Sequence, residues 1–370
     1  MPDSLPPPIW VATDSALHAM LDDLFSQARV AVDTESNSLH AYREQVCLIQ
    51  FSTPQRDYLV DPLILADLTP LGPLFANPNI EKIFHASEYD VICLNRDFGF
   101  TFANLFDTMQ ASRILGCAKV GLDAILTVRF DIQLNKHFQK ADWGARPLTS
   151  EQIDYARFDT HYLIPLRDQL KDELIEKGRW PLAVEEFERL CQPNGTHAEP
   201  MESWERFSHR RDLDSRQLTV LRELCGMREM IATRLDRPPF KVLGDDKLIA
   251  LARIMPDSKK GLVEAGLTER QVNRWGAEIL RALERGAKAS LVKRKPVHRP
   301  DEAVLNRQEK LKAWRKKVAE QMGVESDIVL PRPYLLLLAE HGGHEIGSIM
   351  ANSPWRLEQY GAQIAEILGV

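Results

Sequence analysis

RVAVDTES (residues 29–36) is the stretch that decides the fold. Its first half is an apolar, β-branched run. Its second half sets Asp33 and Glu35 two residues apart, so on a strand both carboxylates leave from one face. Two like charges at the edge of a buried strand are costly, because each raises the pKa of the other and neither is readily desolvated. A bound divalent cation resolves that conflict; the plain alternative is a strand end that faces solvent.

Working outward, PIWVAT (8–13) reads as a strand, and Thr13 or Asp14 can cap a helix bearing Leu17, Met20, Leu21, Leu24 and Phe25 at helical spacing. QVCLIQFST (45–53) and RDYLVD (56–61) are apolar runs with short polar breaks, the neighbours of RVAVDTES in one sheet. KIFHAS (82–87) is a fourth run of this kind and NLFDT (104–108) a fifth. Helical patterns lie between and after them, ending in a long helix expected from about Ser150 to Lys177, with Thr149 and Gln152 as its capping box. Strands alternating with helices predict an α/β domain.

A chain of 370 residues with 44% hydrophobic composition has material for more than one domain. The net charge of −6 is unevenly spread. Residues 1–200 hold 17 basic and 29 acidic side chains, whereas residues 201–300 hold 22 and 14. An acidic module followed by a basic one fits metal-using chemistry joined to phosphate binding, although a solvated helical surface has a similar balance. Around CQPNGTHAEP (191–200) the apolar periodicity gives way to turn formers, which marks a boundary. Beyond about 210 the pattern is all helix. LIALA (248–252) and WGAEI (275–279) are echoed by LLLLA (335–339) and YGAQI (360–364), a duplicated helical domain with KRKPVHRP (293–300) as the linker.

Two further acidic positions complete the chemistry. Asp90 follows KIFHASEY just past a strand, in the opening turn of a helix, where acid also complements the helix dipole. Asp159 lies four residues after Tyr155, so phenol and carboxylate share one helix face. Four carboxylates from element ends of an α/β domain suit oxygen-seeking Mg²⁺ or Mn²⁺ rather than zinc. Two such ions about 4 Å apart support in-line hydrolysis of a phosphodiester, with Tyr155 orienting the attacking water and helping to remove its proton.

Other classes recede. The five scattered cysteines form no CxxC pair and read as reduced, mostly buried residues. No run reaches the length of a membrane span and MPDSLPPPIW has no signal-peptide order, so no membrane partner and a cytoplasmic location are expected. No GxxxxGK[ST] loop occurs, so no nucleotide cofactor is expected.

With these residues in view the sequence resembles ribonuclease D, of the DEDD exonuclease superfamily, tyrosine subclass. The matching motifs are VDTES (32–36), HASEYD (85–90) and YARFD (155–159), with LIQFST (48–53), FDT (106–108) and DWGARPL (142–148) beside them. The histidine subclass would need His five residues before the last acid, and that position is Asp154. The resemblance implies a ribonuclease H-like α/β 3'-5' exonuclease domain over 1–200, followed by two small all-α domains like the HRDC domain of helicases, over 208–290 and, more divergent, 300–370. It implies Asp33 bridging two metal ions, Glu35 and Asp159 completing one site, Asp90 holding the second largely through water, and Tyr155 positioning the attacking water. It further implies release of nucleoside 5'-monophosphates from RNA with a 3' single-stranded end, transfer RNA precursors among them.

Lesser features carry two readings each. His85 is either a substrate contact or a satisfied structural residue, and Leu39 either wedges against the 3' base or simply packs. Trp143 and Arg146 either contact RNA or, as expected, brace the last helix; His341-Gly-Gly-His344 offers two metal ligands without partners or, as expected, a glycine-capped helix end; Trp275 and Tyr360 either stack bases or, as expected, are core. Two rival functions stand beside an exoribonuclease: a DNA repair exonuclease of the same chemistry, and a catalytically silent nucleic-acid-binding protein, which would require a lost metal ligand.

Overall fold

The structure, a computed structural model, describes residues 5–192, 202–294 and 300–369, excepting the side chain of Lys136. Most of the expected boundary at 191–200 and of the linker at 293–300 lies outside the described residues. The described chain divides into two compact units: residues 5–36, 46–192 and 300–369, and residues 37–45 and 202–294. No helix among the described residues is long and apolar enough to cross a membrane.

The first unit is built on a mixed six-stranded sheet, ordered β1-β4-β3-β2-β5-β6. Its strands are β1 (Ile9–Val11), β2 (Arg29–Ser36), β3 (Val46–Ser52), β4 (Asp57–Val60), β5 (Glu81–Phe84) and β6 (Leu105–Asp107), matching the five runs read beyond RVAVDTES and that run itself. β2 is central, antiparallel to β3 and parallel to β5. Its alternation divides the core. Val30 and Val32 join Leu17, Met20 and Leu24 of helix Asp14–Ser26 on one face, while Ala31 joins Leu163, Leu166 and Leu170 on the other. Each such buried side chain contributes about 1.5–3 kcal/mol, which pins the strand register. Asp33 and Glu35 continue the Ala31 face.

The expected capping box is complete: the Thr149 amide donates to Gln152 Oε1 at 3.0 Å, and the Gln152 amide to Thr149 Oγ1 at 3.2 Å. The single long helix expected from Ser150 to Lys177 is instead two, Ser150–His161 and Leu163–Glu176, broken at Tyr162. Pro165 explains the break: it has no amide N–H to donate four residues back, and its ring crowds the carbonyl of His161.

Residues 300–369 of the same unit form a helical module whose core includes Leu311, Leu335, Leu338, Tyr360 and Ile364. It is held to the sheet-bearing part by Arg356, fully buried, which donates to Glu185 and Glu186 of helix Trp180–Leu190. The guanidinium also donates to the Ile328 carbonyl at 2.8 Å. The second unit is helical around Leu218, Leu221, Leu248, Trp275 and Ile279. Corresponding residues of the two echoed segments therefore serve as core in each helical module, Trp275 and Tyr360 among them. His341 closes helix Arg332–His341, and Gly342 follows with φ +76°.

Candidate active site

The site lies at one end of the sheet, on the Ala31 face of β2. Asp33, Glu35 and Asp159 gather there, each offering a carboxylate oxygen within 4.8 Å of the others. The first two come from the last turns of β2's pleat. Asp159 comes from helix Ser150–His161, which lies across β3, β4 and β2. Asp90 approaches from helix Glu88–Phe98, buried in its first turn, and accepts a hydrogen bond from the Thr34 hydroxyl.

The turn that delivers Asp90 is shaped by the FDT segment. Asp107 accepts from the Ser87 amide at 2.7 Å, the Ser87 hydroxyl at 2.8 Å and the Ala86 amide at 3.3 Å. Ala86 thereby holds φ +66°, a left-handed conformation that costs a non-glycine residue about 1 kcal/mol. Asp107 also caps the next helix by accepting from the Gln110 amide at 2.9 Å. His85, half-buried, places Nδ1 2.9 Å from the Thr108 hydroxyl, which itself donates to the Phe84 carbonyl. Because that hydroxyl proton is used, His85 donates from Nδ1, and burial keeps the ring neutral by pulling its pKa down.

Helix Ser150–His161 is fixed from below by a buried polar network. Asp57 of β4 accepts from Arg157 Nε at 2.6 Å, from Ser52 Oγ at 2.7 Å and from His161 Nδ1 at 3.0 Å. Ser52 and Thr160 hydroxyls meet at 2.7 Å. Trp143 is buried against the Tyr155 ring, with centroids 5.8 Å apart. Arg146 spans Asp61, with bonds of 2.7 and 2.8 Å, and the Cys47 carbonyl at 2.7 Å. Trp143 thus packs on the helix that carries Tyr155, whereas Arg146 ties the loop before that helix to β3 and to Asp61 and makes no hydrogen bond to the helix itself.

The electrostatics follow from this crowding. Burial, then repulsion from Asp90, Asp159 and Glu35, raises the Asp33 carboxyl well above its ordinary range. Burial, then Asp159 and Asp90, does the same to Glu35. Asp90 is pushed up to about 7 by burial, with the Thr34 hydrogen bond opposing and Asp107 adding to the rise. Asp159 is likewise pushed up to about 7 by burial and by Asp90, against a hydrogen bond from Tyr155. Burial and the surrounding carboxylates also raise the Tyr155 phenol, so it stays protonated. Among the described residues no basic side chain forms an ion pair with any of the four carboxylates. A set of four oxygen-rich, mutually repelling acids with no cationic partner among the described residues fits hard divalent cations better than zinc.

Asp33, Glu35, Asp159 and Tyr155 line a cavity of about 550 Å³ together with Thr34, His85, Gly121, Leu122, Asp123, Leu134, Asn135 and Gln139, whereas Asp90 is not part of its wall. The residues between 121 and 139 carried no readable motif; only their place in space makes them lining. Leu39 is not among them. It lies on the 37–45 segment that belongs to the second unit and is exposed.

A sheet of this order, carrying acids from β2 and from two helices at one end, defines a nuclease-type α/β domain. Comparisons agree: residues 8–175 match the family described as 3'-5' exonuclease, and residues 217–283 match the HRDC domain. The chain thus carries a region similar to the 3'-5' exonuclease family, followed by one similar to the HRDC domain. The family uses divalent metals. The chain is 36% identical over 298 residues to the exosome complex exonuclease RRP6 of Saccharomyces cerevisiae, covering 76% of this chain and 40% of that protein. It is 33% identical over 261 residues to ribonuclease D of Acidiphilium cryptum, covering 70% of this chain and 66% of that one. The crystal structure of Escherichia coli RNase D superposes with a TM-score of 0.73 at 24% identity, covering 98% of this chain and 99% of that chain, a likeness of fold. The chain thus spans less than two thirds of the length of these two sequence relatives.

Proposed function

We propose that this protein is a metal-dependent 3'-5' exoribonuclease that hydrolyses the terminal phosphodiester and releases nucleoside 5'-monophosphates. The observation that carries this reading is the convergence of Asp33, Glu35 and Asp159 within 4.8 Å, with Asp90 electrostatically coupled to all three. The names of the relatives, an exosome exonuclease and a ribonuclease D, support RNA as the substrate. Trimming of 3' ends of transfer RNA precursors and other structured RNAs, in the cytoplasm, belongs to this proposal. So does a division into an exonuclease domain over 1–200 and helical nucleic-acid-binding domains over 208–290 and 300–370.

In this mechanism Asp33, Glu35, Asp90 and Asp159 would hold two divalent cations, Mg²⁺ or Mn²⁺. When bound, the ions neutralise charge at the phosphate and at the leaving oxygen and ease deprotonation of water. Tyr155 donates to Asp159 and would use its lone pairs to accept from the attacking water and so orient it. Trp143 and the Asp57 network prevent the helix bearing Tyr155 and Asp159 from tilting. His85, neutral and fixed by Thr108, presents an uncharged ring to the cavity, suited to a sugar hydroxyl. Leu39, exposed on segment 37–45, is proposed as a wedge against the 3' base.

The test is hydrolysis of matched single-stranded RNA and DNA strands in Mg²⁺ or Mn²⁺, by the parent and by Asp33→Asn. Nucleoside 5'-monophosphates released from RNA by the parent alone are expected. A strong preference for DNA would replace the reading with a repair exonuclease, and salt-sensitive RNA binding without turnover would replace it with a silent binder.

A further inference from the structure

We infer that Gln50 is a positioning residue of the carboxylate cluster, its carboxamide serving as the hydrogen-bond donor that orients Asp33 when divalent cations are held. Three observations converge on it. Gln50 is the cross-strand partner of Asp33 in the β2–β3 pair, so the two side chains leave the same face of the sheet, with Cβ atoms about 5 Å apart. It lies on β3 between Leu48, which packs in one cluster with Tyr155 and Ala156, and Ser52, which meets Thr160, so it sits beneath the helix that carries Tyr155 and Asp159. And it is fully buried, with neither its amide nitrogen nor its amide oxygen hydrogen-bonded.

A primary amide in such a place is unfavourable on its own, since a buried donor or acceptor left without a partner loses its hydration and gains nothing in return. Apolar residues of similar length would fill the same space more favourably. The amide makes sense as a part of the site. It brings two N–H donors and no charge to a cluster that has four acids and, among the described residues, no cation. A lysine there would compete with a metal ion for the carboxylates; a neutral donor orients a carboxylate without displacing the ion. Groups that bond to a ligand carboxylate typically alter metal affinity by about 10- to 100-fold when removed. Gln50 touches neither substrate nor reacting atoms in this account and acts through Asp33.

This inference rests on the proposed metal-ligand role of Asp33, and the test separates the two. The full chain is stripped with chelator, and the parent and Gln50→Met, a change of similar volume, are compared by titration with Mn²⁺ alone and by thermal unfolding with and without chelator. Uptake of Mn²⁺ by the parent reports on the ligand reading; its failure overturns that reading and this one together. With parent uptake present, Gln50→Met is expected to bind Mn²⁺ about tenfold or more weakly. It is also expected to unfold at an equal or higher temperature in chelator, by about 2–4 °C, because an unsatisfied polar group has gone. Unchanged Mn²⁺ affinity overturns the inference, and so does a lower unfolding temperature or failure to fold in chelator, since either would mean that the amide is satisfied in the metal-free fold.

Discussion

Arg157 donates from Nε to Asp57 at 2.6 Å, tying the helix that carries Tyr155 and Asp159 to β4 from its buried side. Both side chains of this pair are about 5% exposed or less. Burial opposes ionisation of Asp57, but hydrogen bonds from His161, Ser52 and Arg157 outweigh it and hold the carboxyl below its usual range. Asp57→Ala leaves a buried guanidinium without its partner, a loss of about 3–5 kcal/mol. Thermal unfolding should show the lowered stability, and the surviving folded protein should lose kcat more than KM, because the helix and not the substrate surface has been loosened. A variant as stable and active as the parent would contradict the anchoring role.

Proton uptake by the carboxylate cluster gives a second prediction. Asp90 and Asp159 are raised to about 7 and Asp33 and Glu35 are raised as well, whereas the unfolded chain titrates near 4. Between these values the metal-free folded state binds more protons than the unfolded state, so its stability falls as pH rises from about 5 to about 7.5. Saturating Mn²⁺ should reverse the slope, because protons then compete with the ions. Unfolding temperatures measured across this range with and without chelator check both signs.

Tyr155→Phe tests orientation against base catalysis. In the metal-free site burial and the neighbouring carboxylates push the phenol above its ordinary value. Removing its oxygen should lower kcat by about 10²-fold with Mn²⁺ affinity unchanged, and the parent's rate should show no phenol ionisation between pH 7 and pH 9 on the order of a full unit's change. Steady-state rates across pH, with a parallel Mn²⁺ titration, make the check.

Arg356→Met addresses the docking of residues 300–369. It removes the cationic partner of Glu185 and one of the two of Glu186, which keeps Arg189, and leaves these carboxylates, both about 4% exposed, facing an apolar side chain. A loss of about 3–5 kcal/mol is expected, and limited proteolysis should then release the C-terminal helical module first. Replacing Glu185 and Glu186 by Gln in the same variant should restore part of that loss.

Much of this site was readable because its determinants are local. The two-residue spacing of Asp33 and Glu35 works through the strand pleat, the four-residue spacing of Tyr155 and Asp159 through the helix turn, and Thr149 with Gln152 through a capping box. Features that depend on distant pairs were not readable. Nothing in LIQFST distinguishes Gln50 from a solvent-facing residue until β3 is paired with β2, and nothing marks Arg356 as the partner of Glu185, 171 residues away. The cavity wall from Gly121 to Gln139 is drawn from helix Leu122–Phe130 and the chain after it, and no spacing in the sequence points either toward the acids. The break at Tyr162 was within reach, since Pro165 stands in the sequence; the apolar periodicity on either side concealed it.

The central claim, that Asp33, Glu35, Asp90 and Asp159 together hold a pair of divalent cations, is met most directly by anomalous diffraction from crystals of the chain equilibrated with Mn²⁺ and a nucleoside 5'-monophosphate. The account predicts two manganese peaks among these four side chains, with Asp33 bonded to both. Manganese bound only elsewhere, or no peak among the four at saturating Mn²⁺, would contradict it.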